Sequence, residues 1–197
     1  MKWGTTIVIV VLGLSSAGYG VDVNYSGFIH DPYPNSPVGD FVIAGTFDPT
    51  FNPWDYPYVY GDWVGNLVDG PEYAQAVADG VFRPIGAGTL TTDGAGSFSG
   101  TGSTTGIVGE ALWIFAFGDP APDDAWTFAL CTSSDPGWLA SGDAVGDQNV
   151  LHSSEADVFV FGGSAAPAIA LQGLPIPVPS AGAAGLAGLV WVCGRRR

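Results

Sequence analysis

Leu112-Trp113-Ile114-Phe115-Ala116-Phe117 carries no polar side chain at any position. On a strand, successive side chains point to opposite faces, so a stretch that is apolar at both parities must be covered on both sides. It therefore reads as a core strand running between two layers, not as a binding box. Working outward, short alternating or fully apolar runs recur between Val21 and Gly173, separated by clusters of Gly, Pro, Asp and Ser. That is the pattern of an all-β fold. Strands are expected near Val21 to Phe28, Phe41 to Phe47, Phe82 to Thr91, Ser97 to Ser99, Glu110 to Phe117, Ala125 to Cys131 and Asp157 to Phe161. Pro71 to Ala78 reads instead as a short helix, with Pro in the first turn and Glu72 beside the positive helix end. The expected architecture over residues 21–173 is a single antiparallel β-sandwich or jelly-roll-like domain, flanked by an N-terminal signal helix and a C-terminal apolar helix.

The 197 residues carry a formal charge of -14, and its distribution is uneven. Lys2, Arg195, Arg196 and Arg197 lie at the two ends, so Arg83 is the one cation among nineteen carboxylates in the middle. Such a surface repels nucleic acid and anionic headgroups and favours solubility and divalent cations. Nucleic-acid binding is excluded on this ground. Cys193 lies in the apolar tail, which leaves Cys131 alone in the domain without an internal disulfide partner.

Each end has its own pattern. Lys2, the apolar run Ile7 to Leu14 and the small residues Ser15, Ser16, Ala17 and Gly18 follow the order of a secretory signal, which places residues 1–20 outside the mature domain. At the other end, residues 174–179 read Leu-Pro-Ile-Pro-Val-Pro, an extended spacer in which proline blocks helix and sheet pairing. Residues 180–197 follow as an uncharged, small-residue-rich stretch closed by three arginines. Positive charge after an apolar run is a stop-transfer pattern. The run Ser180 to Gly194 is shorter than the span of about 20 residues a bilayer requires, which suits a processed signal better than a permanent anchor.

Pro177-Val178-Pro179, the run Ala181 to Val192 and the cluster Arg195, Arg196 and Arg197 together resemble PEP-CTERM sorting domains. Val178 stands where the namesake motif has Glu, as in variant tails of the Pro-x-Pro form. The resemblance implies export across the inner membrane of a Gram-negative-type bacterium, with the export machinery and an exosortase-type enzyme as partners. It implies a destination in the cell envelope, the outer surface or a matrix of extracellular polysaccharide, with at least transient membrane contact through the tail. The stretch Gly80 to Leu139 is similar to an uncharacterised β-domain that recurs in such proteins and brings no catalytic residues with it.

Candidate sites in the domain are few. Trp54, Tyr56, Tyr58 and Tyr60 fall at every second position, so on an extended segment all four rings face one way and form a platform for sugar rings, with Asp55 or Asp62 as hydroxyl acceptors. Packing against the core is the competing reading, and Pro53 and Pro57 argue for an irregular path. Asp143, Asp147 and Asn149, and likewise Asp119, Asp123 and Asp124, offer hard oxygens of the kind calcium takes, without EF-hand spacing. No other metal or cofactor is expected. His30 and His152 are the two histidines, and no Gly-x-Ser-x-Gly elbow accompanies them. Glu155 and Asp157 on one strand face would imitate a glycosidase pair. Cys131 reads as a buried hydrophobe, and the Gly-rich run Gly94 to Gly109 lacks phosphate-cradle spacing. The chain thus reads as a secreted, non-enzymatic surface protein with no catalytic residues. A carbohydrate-binding module, a permanently anchored structural protein and a glycan-directed hydrolase are the alternatives.

Overall fold

The computed structural model describes residues 21–31, 39–60, 72–91, 96–104, 106–142 and 148–173; the stretches expected to be an export signal (1–20), a spacer (174–179) and a sorting tail (180–197) lie outside them. Within this range the chain is all-β, with its strands in two sheets. Sheet A contains β1 (Val21–His30), β4 (Ser97–Thr104), β7 (Gln148–His152), β9 (Gly163–Ala165) and β10 (Ala168–Ala170). Sheet B contains β2 (Phe41–Phe47), β3 (Phe82–Leu90), β5 (Trp113–Phe117), β6 (Thr127–Thr132), β8 (Val158–Phe161) and β11 (Gln172–Gly173).

The apolar stretch at 112–117 behaves as its sequence requires. All five residues of β5 are buried, and the strand sits between β2 and β6 with antiparallel pairing on both edges. Ile114 and Ala116 point to a cluster shared with Val23, Tyr25, Leu151 and Ile169, so this side faces sheet A. Trp113, Phe115 and Phe117 point the other way, into a second cluster with Ile43, Phe82 and Phe128. That second cluster is covered by α1 (Tyr56–Val59) and α2 (Tyr73–Ala78), which form a partial third layer.

The sheets are tied together at both sides. On one side β3 of sheet B leads into β4 of sheet A, and the two approach so closely that a Cβ at Gly86 would lie 2.6 Å from the Thr101 carbonyl oxygen. On the other side the chain passes from β8 in sheet B to β9 in sheet A through Gly162, whose φ of 83° is a conformation that favours glycine. It returns through β10, which pairs with β1, and Leu171 to β11, which pairs with β6.

One feature departs from the antiparallel expectation. β4 takes one edge of β1 in antiparallel register, but β7 and β10 both pair with β1 in parallel. They lie end to end along its second edge, β7 against residues 22–26 and β10 against 28–30. Both return to the first strand through long connections, which is what parallel pairing needs. Ser153 fills the junction between them: its Oγ accepts from the Phe28 amide at 3.1 Å and donates to the Pro167 carbonyl at 2.7 Å.

Candidate functional site

The aromatic run at 54–60 is not extended. Asn52 caps a 3-10 turn over Pro53–Asp55, its side chain accepting from the Trp54 amide, and α1 follows directly. Both prolines occupy first-turn positions, where a missing N–H costs nothing. Helical rather than strand spacing then splits the four rings into two pairs. Tyr56 and Tyr60 point inward and stack on each other with centroids 5.4 Å apart, and Tyr56 also meets Phe115 edge-on at 4.9 Å. Trp54 and Tyr58 point outward, at 52% and 80% exposure. The expected four-ring platform is therefore corrected to an outward pair one helical turn apart. The Tyr56 hydroxyl is buried without a hydrogen-bond partner, and that burial pushes its pKa up.

Asn149 is not placed as a calcium ligand. It is buried on β7, where its Nδ2 donates to the carbonyls of Gly137 and Leu139, both at 2.8 Å, and its Oδ1 accepts from the Ser141 amide. Its amide thus ties the 137–141 segment to sheet A. Asp143 and Asp147 lie outside the described residues. Of the other acidic group, Asp119 accepts from the Ala121 amide and Asp123 from the Ala74 amide at the start of α2. Among the described residues no three of His, Cys, Asp and Glu converge on a common point.

Glu155 and Asp157 also fail to share a strand face. Glu155 belongs to a 3-10 turn over Ser153–Glu155 and accepts from the Trp138 indole N–H at 3.3 Å. Asp157 accepts from the Ser134 amide at 2.7 Å and from its hydroxyl, which hold its carboxyl below the usual range. Both carboxylates are exposed and brace the loop at 133–138. Cys131 is fully buried, burial pushes its thiol pKa up, and the sulfur rests against the Ile114 carbonyl. A thiol held protonated in this way is no nucleophile. Arg83 pairs with Glu110 and donates to the Phe47 carbonyl.

The outer face of sheet A escaped sequence reading. Registration across three strands sets Ser99, Ser26 and His152 in one row, with Ser97 beside Phe28 in the next. In the other direction Thr101 and Asn24 lie beside Val150, and Ser103 and Asp22 beside Gln148. At the Phe28 end, Thr89 and Leu90 rise beside the sheet and form one wall of a groove of about 450 Å³. Phe28 and Leu90 are 42% and 43% exposed there. His152 lines the groove and is held by its role as cap: its Nδ1 accepts from the Ser154 amide at 3.2 Å, which leaves Nε2–H as the donor of the ring. The signal in the sequence was the every-second-residue series Ser97, Ser99, Thr101 and Ser103, which resembles an ordinary Gly and Ser-rich hairpin until its partners are known.

No protein family, curated protein or solved structure matches the chain.

Proposed function

We propose that this is an exported, non-enzymatic envelope protein whose β domain is displayed at the cell surface or in extracellular matrix after sorting through a PEP-CTERM-like tail. The observation that carries the reading is the order of the C-terminal segments, with Pro177, Val178 and Pro179, the apolar run and Arg195 to Arg197 in succession. The position of the last strands supports it. β10 and β11 belong to sheets A and B, and β11 ends at Gly173, immediately before the proline spacer. Every strand among the described residues therefore precedes the segment a sorting enzyme would remove, and cleavage there leaves those strands in place. In finer terms the fold reads as a jelly-roll-like sandwich, between a signal helix and a tail helix, with export machinery and an exosortase-type enzyme as its processing partners.

Fractionation of the native host with intact-mass measurement tests this. A matrix or outer-surface species lacking residues 180–197 is the expected result. A full-length species confined to the inner membrane would replace the reading with that of a permanently anchored structural protein.

A second reading, a carbohydrate-binding module, is favoured by Trp54 and Tyr58, two exposed rings one helical turn apart. Loss of glycan retention in a Trp54→Ala, Tyr58→Ala variant that keeps its melting temperature is the outcome expected of it.

A further inference from the structure

The outer face of sheet A has an unusual composition for this chain. Among the described residues its outward positions on β1, β4 and β7 carry hydroxyls, amides, the imidazoles of His30 and His152, Phe28 and Val150, and a single carboxylate, Asp22, at the end away from the groove. Among the described residues the groove is lined by no acidic side chain. A solvated sheet face ordinarily gains solubility and protection from edge pairing through charge. Here three adjacent strands carry Asp22 as their one outward carboxylate among the described residues.

The chemistry of the face narrows what it can hold. A hard cation such as calcium needs anionic or carbonyl oxygens that converge, and among the described residues the groove presents neither carboxylates nor a cluster of ligands. An anionic polymer would meet the field of a chain with net charge -14, and β1, β4 and β7 contain no Lys or Arg. An apolar partner would have to desolvate Ser26, Ser99 and the His152 N–H, each of which costs free energy when left unpaired. What remains is a neutral ligand that is itself dense in hydroxyls, can exchange hydrogen bonds with that row, and has an apolar C–H face for the exposed Phe28 ring.

We propose that the outer face of sheet A binds a neutral polysaccharide, with one sugar ring on Phe28 in the groove and the chain continuing along the hydroxyl rows of β1 and β4. Ser26, Ser99 and the Nε2–H of His152 supply one line of donors and acceptors across the strands, and Ser97 and Thr89 flank the ring. Regular spacing along β4 suits a polymer with a repeating pattern of hydroxyls better than a single small molecule. This goes beyond the sorting reading and does not depend on whether the tail is removed. It shares only its ligand class with the Trp54 and Tyr58 reading and uses a different surface.

Native affinity electrophoresis tests it on the full chain, kept soluble in a polyoxyethylene detergent that carries no sugar headgroup. The gels contain hydroxyethyl cellulose, dextran or galactomannan as neutral polymers, and alginate as the anionic control. At least one neutral polymer should retard the protein and alginate should not. Phe28→Ala should raise the concentration needed for half-retardation about tenfold, by loss of the stacked ring. A Ser26→Ala, Ser99→Ala variant changes only solvent-facing hydroxyls and should weaken retardation severalfold without lowering the melting temperature. Trp54→Ala with Tyr58→Ala should leave it unchanged. The proposal is overturned if no neutral polymer retards the protein, if alginate alone does, or if the sheet variants behave as wild type. Loss confined to the Trp54 and Tyr58 variant would transfer glycan binding to the helical pair and remove it from sheet A.

Discussion

The outer faces of the two sheets follow the same alternation and end in opposite states. On β5 the outward positions are Trp113, Phe115 and Phe117, and they are covered; on β4 they are Ser97, Ser99, Thr101 and Ser103, and they are open. Rings on sheet B draw two helices of four and six residues down onto it. Helices that short have no stability of their own in water, so the layer exists only because Tyr56, Tyr60, Tyr73 and Ala76 pack on the sheet. Among the described residues the outer face of sheet A has only Phe28 and Val150 as large apolar side chains, too few to hold such a cover. The side chains at alternate positions, more than the backbone, decide whether a sheet face becomes core or surface.

The sharpest way to break that contrast is at its centre. Phe115 is fully buried and touches Tyr56, Tyr73, Phe82, Phe117 and Phe128. Phe115→Ala should cost about 3–5 kcal/mol in urea unfolding. A loss below about 1 kcal/mol would mean that the helical layer is not part of the cooperative core. On the inward side of sheet A, a Cβ at Gly100 would overlap the Tyr25 ring. Gly100→Ala should therefore destabilise by about 1–3 kcal/mol, by overpacking rather than by cavity formation.

A third test lies where the ends of the sheets meet. Burial, followed by the charges of Asp31 and Asp119, raises the Asp40 pKa from 3.8 to about 6. Between those values the folded state binds the extra proton, so Asp40 opposes folding fully above about pH 6 and not at all below about pH 4. Asp40→Asn should raise the melting temperature at neutral pH, with the gain vanishing as pH falls to about 4. A gain that is constant with pH would assign the effect to packing. Asp157 has the opposite sign: its lowered pKa supports stability above the usual carboxylate range, and that support is lost on acidification. The smallest effect is expected at Tyr58, 80% exposed on α1, where Tyr58→Ala should move stability by less than about 0.5 kcal/mol in the same assay. A larger loss would show that the outward ring pair also belongs to the packed layer.

Much of this was legible in the residues. The strand expected at Phe41 to Phe47 has those ends, β5 lies inside its expected stretch, and the helix before Ala78 is present. β9, β10 and β11 were missed because they are two or three residues long and, apart from Ile169, consist of Gly, Ala, Ser and Gln, which have little strand preference; these segments are held by the pairing they complete. β7 has only Val150 and Leu151 to mark it. The period-2 reading of Trp54 to Tyr60 assumed an extended backbone, whereas Asn52 followed by Pro53 already had the form of a capped helical start. Of the candidate sites, Asn149 was misread because the carbonyls its amide satisfies belong to a turn ten or more residues away.

The sequence by itself determined that the middle of this chain is β and that β5 is buried on both faces. These follow from neighbouring residues and from composition, which need no knowledge of the fold. Only the tertiary structure decided that Trp54 and Tyr58 part company from Tyr56 and Tyr60, that β7 and β10 share an edge of β1, and that Ser26, Ser99 and His152 form one row. Such features depend on pairing between distant segments. That pairing is selected by the apolar area the whole domain can bury together, a quantity no local stretch contains.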